Sequence, residues 1–169
     1  NMTVTVSNSN GQVNGTLRIL LTLTMIALAP LLLIMLTSFT RVIIVLHFTR
    51  AALNTQTAPP NQVMIGLALF LTFFIMQPTA TAIYQEAFVP FDQGTITQEE
   101  FFEAGIEPLR EFMYRQTQTK DVKVFMSISG TEWDGSLEGI PITVLVPSFI
   151  VGELRQAFII GFLIYIPFI

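Results

Sequence analysis

Four charged side chains, Arg41, Arg50, Glu153 and Arg155, lie within or at the ends of the most apolar stretches of this 169-residue chain. A charge at the centre of a membrane helix costs about 2.5–3.5 kcal/mol on insertion scales, so such residues usually pair, line a polar path or join subunits. Glu153 and Arg155 are two positions apart and cannot meet on one helix. We therefore expect separate partners for them, and an inter-helix or inter-subunit pair between Arg41 and Glu153 is the natural candidate. Arg50 is either such an assembly or pore contact or an anchor that reaches into the headgroups.

The remaining residues offer little chemistry of their own. The chain has no cysteine and a single histidine, His47, so we expect neither a disulfide framework nor a metal centre. His47 fits a helix-end residue better than a proton switch. The sequence also lacks the spacings typical of zinc proteases, serine hydrolases and nucleotide-binding loops. We predict no catalytic activity and no cofactor, and the net charge of −4 argues against nucleic acid as a partner.

Composition indicates the elements that must carry these charges. The chain is 51% apolar and only 12% charged, whereas soluble domains hold about 25% charged residues. Residues 19–39 and 51–85 contain no charge, and residues 140–169 contain only Glu153 and Arg155. Each block is long enough for a bilayer-spanning helix. The prediction is an all-α, membrane-associated fold of proline-kinked apolar helical hairpins with a small acidic amphipathic helical subdomain.

Changes in composition divide the chain into four segments. They are a polar N-terminal leader at residues 1–16, with a short strand expected at residues 3–6; a first apolar helical hairpin at residues 17–85; an acidic, water-facing helical subdomain at residues 86–139; and the start of a second apolar hairpin, truncated by the chain end, at residues 140–169. Within the first hairpin we expect helix from Leu17 to about Thr49 with a kink at Pro30, and a turn at Pro59 and Pro60.

The acidic segment carries several helix signals. Thr97 followed by Glu100 is a capping-box pattern. Pro108 fits the first position of a second helix, in which Glu111 and Arg115 stand four residues apart in the favourable order.

Two weaker signals concern packing and orientation. Ala157 and Gly161 form a small-xxx-small pair that permits close helix contact, although such pairs are also common by chance. Arg41 and Arg50 flank a short connection, so the positive-inside rule predicts residues 41–55 on the cytoplasmic side and residues 86–139 outside.

Three long stretches carry a resemblance to a known family. They are "LTSFTRVIIVLHFTRAALNTQTAPPNQVMIGLALFLTFFIMQP", "PLREFMYRQT" and "VPSFIVGELRQAFIIGFLIYIPF". In this order they resemble the FliP/SctR family of type III secretion export gates over about residues 17–169, with "TSFTR" and "PPNQ" closer to the flagellar branch. His47 and Asn54 depart from the common family pattern, in which Gly is frequent at the position of Asn54. Family members continue beyond this point with a further apolar hairpin whose methionine-rich loop seals the pore, and we expect that element to be missing here.

The resemblance implies a pore-forming subunit in the bacterial inner membrane at the flagellar basal body, passing unfolded flagellar proteins. The implied partners are copies of the chain itself as a pentamer, FliQ-like and FliR-like gate subunits, FlhA/FlhB-like export components, basal-body ring and rod proteins, unfolded export substrates and membrane lipid. Two alternatives stay open from the residues. One is the equivalent subunit of a virulence injectisome, and the other is a small-solute or ion transporter.

Overall fold

A computed structural model describes residues 10–169 of the chain, with side chains from residue 14 onward. The strand expected at residues 3–6 lies outside the described residues. The helices, in chain order, are α1 (Asn10–Met35), α2 (Phe39–Ala52), α3 (Asn61–Ile83), a π-helical turn (Tyr84–Phe88), α4 (Val89–Asp92), α5 (Gln98–Gln116), α6 (Thr119–Ser129), α7 (Ile142–Tyr165) and a 3-10 turn (Ile166–Phe168). No strand occurs between residues 10 and 169, which confirms the all-α prediction.

Three helical segments are long and apolar enough to cross a membrane. They are Asn14–Met35, Asn61–Asp92 and Ile142–Phe168. The last two run through their prolines at positions 78, 90, 147 and 167. These three segments correspond to the three apolar blocks of the sequence, and they support the predicted membrane association.

Helix α1 begins earlier than predicted and does not end at its proline. It starts at Asn10 and not at Leu17, because the intervening residues are polar but include no proline to stop a helix. Pro30 lies inside α1, which continues to Met35. The hydroxyls of Thr22 and Thr24 donate to carbonyls one turn earlier in the helix, at 2.7 and 2.8 Å. The large apolar side chains of α1 between Leu17 and Leu33 are exposed.

The break between α1 and α2 falls at residues 36–38, and Thr37 makes it. Its hydroxyl donates to the carbonyl of Ile34 at 2.7 Å and accepts from the amide of Phe39 at 3.3 Å. A side chain that bonds both ways to the backbone competes with the helical ladder. These two bonds of Thr37 accompany the end of α1 at Met35.

Helices α2 and α3 form a hairpin joined by residues 53–60. Asn54 occupies the left-handed backbone region, with φ of 58°, which asparagine tolerates better than most residues. The hydroxyl of Thr55 bonds to the carbonyls of Arg50 and Ala58, at 3.1 and 2.5 Å. Pro59 and Pro60 lie at the end of this turn, and the extended Pro60 immediately precedes the first turn of α3.

The capping box of the acidic segment is present as predicted. The amide of Glu100 donates to the hydroxyl of Thr97 at 3.3 Å, and the carboxylate of Glu100 accepts from the amide of Thr97 at 2.7 Å. The prediction that Pro108 starts a second helix was wrong. Helix α5 runs through it from Gln98 to Gln116, with the proline ring buried. The chain breaks instead at Thr117, whose backbone is extended and whose hydroxyl bonds to the carbonyl of Met113 at 2.6 Å.

The hydrophobic core joins α5, α6 and α7. Its buried members are Met113, Val122, Met126, Ile140, Val144, Leu145 and Phe149. Phe112 stacks edge-on against Phe149 with ring centroids 5.9 Å apart. Residues 131–141 are a loop, in which the indole of Trp133 donates to the carbonyl of Ser136 at 2.8 Å. The acidic segment is thus tied by an apolar core to the first half of α7.

Candidate functional site

Arg41 and Glu153 form an ion pair between α2 and α7 of the same chain. Nη2 of Arg41 donates to Oε1 of Glu153. Glu153 is 1% exposed, whereas 27% of the Arg41 side chain is accessible. The contact proposed from the sequence is therefore present, in its inter-helix form. Its part in assembly stays a prediction.

Arg155 has a different partner, on the other side of α7. Its two terminal nitrogens bind the two carboxylate oxygens of Asp121 in α6, at 2.6 and 2.8 Å, and Nη1 also reaches Gln118 at 3.4 Å. Asp121 is 5% exposed. A two-pronged arginine–carboxylate contact fixes geometry as well as charge. It therefore holds the start of α6 in one position against α7.

Sequence reasoning missed Asp121, although a signal existed. Val122 and Met126 stand four apart on the buried face of α6, and Asp121 lies directly beside them. An acid bordering an apolar stripe in the first helical turn is a candidate for a buried pair. Gly152 lies beside this carboxylate, and a methyl group added there would make an ordinary van der Waals contact with Oδ2 of Asp121, at 3.7 Å.

Arg50 closes the turn of the α2–α3 hairpin. Its Nη1 donates to Oδ1 of Asn61 at 2.6 Å and to the carbonyl of Pro59 at 3.4 Å. Its Nη2 contacts Nδ1 of His47, one helical turn back, at 3.1 Å. These partners are uncharged acceptors, so the contacts hold the turn together and leave the charge of Arg50 without a counter-ion among them.

The small residues of α7 face α2. Ala157 is 0% exposed and Gly161 is buried. A methyl group added at Gly161 would lie 2.9 Å from Cβ of Phe48 and closer still to its ring, which is nearer than real contacts allow. Phe48 also meets Phe158 edge-on, with centroids 5.8 Å apart. The small-xxx-small pair is therefore a packing contact within the chain, next to the Arg41–Glu153 pair on the same two helices.

The contacts of Arg41, Arg50 and Arg155 hold helices and the hairpin turn in position. Within residues 14–169, no cluster of three His, Asp or Glu side chains is close enough to hold a metal ion. Four of the predicted site residues, Arg41, Glu153, Ala157 and Gly161, come together on the α2–α7 contact. Arg155 faces α6 and Arg50 faces the hairpin turn.

Together, the fold and these contacts define a protein that is helical and strand-free over residues 10–169, with three helices long and apolar enough to cross a membrane and with charged pairs that link α7 to α2 and to α6. The sequence profile of the FliP family matches residues 22–169. The chain belongs to the FliP family. This confirms the resemblance found in the sequence and places the chain among the membrane components of the flagellar export apparatus.

Individual relatives agree over nearly the whole chain. The flagellar biosynthetic protein FliP of Bacillus subtilis (strain 168) is 47% identical over 163 residues, which cover 96% of this chain and 74% of that protein. The FliP of Pectobacterium carotovorum subsp. carotovorum is 47% identical over 168 residues, covering 98% of this chain and 65% of that protein. The FliP of Aquifex aeolicus (strain VF5) is 45% identical over 161 residues, covering 94% and 67%. The chain thus spans a large part, but not all, of the length of these relatives.

Proposed function

We propose that the chain is the structural, pore-forming subunit of the flagellar type III protein export gate, through which unfolded flagellar proteins cross the bacterial inner membrane. The observation that carries this is the distribution of charge and apolar surface. The intramembrane charges Arg41, Glu153 and Arg155 have partners inside the chain. The outer surface of α3 is apolar, with Phe70, Phe73 and Phe74 between 70% and 79% exposed. Such a surface needs lipid or other subunits to cover it.

Assembly follows from this surface. In the most apolar part of the segment Asn61–Asp92, only 22% is buried within the chain. In that of the segment Ile142–Phe168, only 28% is buried. Copies of the chain, five by family resemblance, together with FliQ-like and FliR-like subunits, would bury the remainder around a central path. FlhA/FlhB-like export components and the ring and rod proteins of the basal body are the surrounding partners. The relatives' names, all flagellar, favour this role over the injectisome alternative.

Purification and export together test the function. The full-length protein extracted from flagellated cells should elute as a large hetero-oligomer, and its deletion should abolish secretion of flagellar proteins. Restoring the gene should restore secretion. A monomeric or dimeric protein that moves a small solute into vesicles, in cells whose flagellar secretion is intact without it, contradicts the proposal and favours a transporter.

The acidic segment is proposed to face water on the periplasmic side, with the hairpin turn on the cytoplasmic side. The absence of cysteine from the sequence makes this directly testable, since any introduced thiol is unique within residues 1–169. Glu103 and Gln56 are both exposed. Glu103→Cys should react with a membrane-impermeant maleimide added to cells with a permeabilised outer membrane. Gln56→Cys should react only after the inner membrane is opened, and the reverse pattern contradicts the orientation.

A further inference from the structure

We propose that a polar cavity beside Arg50 binds the phosphate of an anionic phospholipid such as phosphatidylglycerol. The cavity has a volume of about 470 Å³ and lies between the end of α2, the hairpin turn and the last turn of α7. His47, Arg50 and Tyr165 line it, together with polar residues of the turn. It combines one fixed positive charge with several hydrogen-bond donors.

The charge of Arg50 is the first argument. Residues 14–169 contain six arginines, and four of them pair with a carboxylate: Arg41, Arg110, Arg115 and Arg155. Within that described range, Arg50 forms no such pair. The sequence holds no acidic residue before Glu86, so no carboxylate of the hairpin can reach it. Its bonded partners are a carbonyl, an amide oxygen and an imidazole nitrogen. A guanidinium has five N–H donors, so these three contacts leave capacity for an anion.

The contact with His47 supplies a second donor. Because Nη2 of Arg50 can only donate, Nδ1 of His47 accepts in this contact. The neutral imidazole then carries its proton on Nε2, which is free to donate to an anion. His47 is exposed, and it lines the same cavity as Arg50. The phenol of Tyr165 adds a third donor from α7.

Depth selects a lipid over a soluble phosphate. The cavity lies near one end of each of two membrane-length segments. These ends are the start of the segment Asn61–Asp92 and the finish of the segment Ile142–Phe168. Apolar side chains next in sequence to its lining residues are exposed: Leu53, beside Asn54, is 56% exposed, and Ile166, beside Tyr165, is 47% exposed. Arginine and tyrosine at the end of an apolar helix lie at headgroup level. A phosphate held by the cavity would therefore carry acyl chains that run along the apolar helix ends. This site goes beyond the export role and does not depend on it.

Lipid binding by the full-length protein in detergent, measured by native mass spectrometry, tests the site. Phosphatidylglycerol should bind in preference to phosphatidylcholine, and glycerol 3-phosphate at equal concentration should not displace it. Arg50→Gln should weaken phosphatidylglycerol binding about tenfold, because it removes charge-assisted hydrogen bonds. Arg50→Lys should retain more of the binding than Arg50→Gln. The matched control is Arg115→Gln, which removes an exposed charge outside the apolar segments and should leave binding within about twofold of the wild-type value.

Two further variants keep the result decisive if Arg50→Gln loosens the hairpin turn and the protein does not fold. Tyr165→Phe and His47→Leu leave the contacts of Arg50 with the turn intact, and each removes one donor from the cavity, so each should weaken binding about fivefold, the value of one hydrogen bond. Equal binding of the two lipids by the wild-type protein overturns the proposal. Equal losses in the cavity variants and in Arg115→Gln also overturn it. If glycerol 3-phosphate displaces bound phosphatidylglycerol as effectively as added phosphatidylglycerol does, the cavity is a site for soluble phosphates. That result would overturn the lipid assignment.

Discussion

Replacing Arg41 and Glu153 singly and together by methionine tests whether the buried pair organises α2 against α7. Methionine is unbranched and uncharged, about as long as glutamate and shorter than arginine. Arg41→Met leaves the carboxylate of Glu153, which is 1% exposed, without its counter-ion. Removing one partner of a buried pair in this way costs about 3–5 kcal/mol, which corresponds to roughly a hundredfold or more in the unfolding equilibrium.

The two single variants should differ. Glu153→Met strands Arg41, whose side chain is 27% accessible and can turn its charge toward water or headgroups. We expect this change to cost about 1–3 kcal/mol, the value of a lost hydrogen bond to a charged group. The double variant removes both charges from the apolar interface. Its stability should lie near that of the wild type, because well-packed apolar side chains often replace a buried ion pair without loss.

Reversible unfolding of the full-length protein in mixed micelles, by titration with a denaturing detergent, measures these differences. The matched control is the exposed Glu111–Arg115 pair, whose side chains are 53% and 70% accessible. The same methionine cycle there should give a coupling energy below about 1 kcal/mol. Additive losses in Arg41→Met, Glu153→Met and their double variant would refute the reasoning. A smaller cost for Arg41→Met than for Glu153→Met would also refute it.

Two other changes test the packing of α7 and the loop before it. Gly161→Ala should cost about 1–3 kcal/mol, because its methyl group overlaps the phenyl ring packed there. Gly66→Ala, which meets nothing within 4 Å, is the control, and equal losses in the two variants would contradict the close contact. In the loop, the amide and hydroxyl of Ser136 donate to the carboxylate of Asp134 and hold its pKa below its ordinary value of 3.8. The lowered pKa stabilises the loop at pH values above 3.8, and this contribution is lost as the pH falls through the pKa of the folded state. The fluorescence of Trp133 should therefore change at a pH below 3.8, and a transition that persists unchanged in Asp134→Asn would contradict this.

Some of the architecture was predictable because single residues specify it locally. The capping box needs only Thr97 and Glu100 at the right spacing, and it starts α5 where the pattern indicated. The Arg41–Glu153 pair could be proposed because residues 140–169 hold one acid, Glu153. With so few charges in the apolar blocks, the number of candidate partners was small.

Other features depended on competition between residues. Pro108 was expected to start a helix, yet α5 passes through it. Helix α1 ends before Thr37, whose hydroxyl bonds both to a carbonyl three residues earlier and to the amide of Phe39, and α5 ends before the extended backbone of Thr117. Asp121 was hidden among the eleven acids between residues 86 and 139. Its position beside the apolar stripe of α6 is a local signal, but the burial itself follows from the packing of α6 on α7.

The two pairs on α7 act on different sides of the helix. Glu153 and Arg155 are two positions apart, which is about 200° around a helix of 3.6 residues per turn. Glu153 therefore faces α2 while Arg155 faces Asp121 on α6. A rotation of α7 about its axis would separate both pairs at once and place a carboxylate in apolar surroundings. The opposed charges thus fix the rotation of α7 between the hairpin and the acidic segment, and its exposed apolar side chains, such as Phe158 and Phe162, remain on the surface that lipid or a neighbouring subunit must cover.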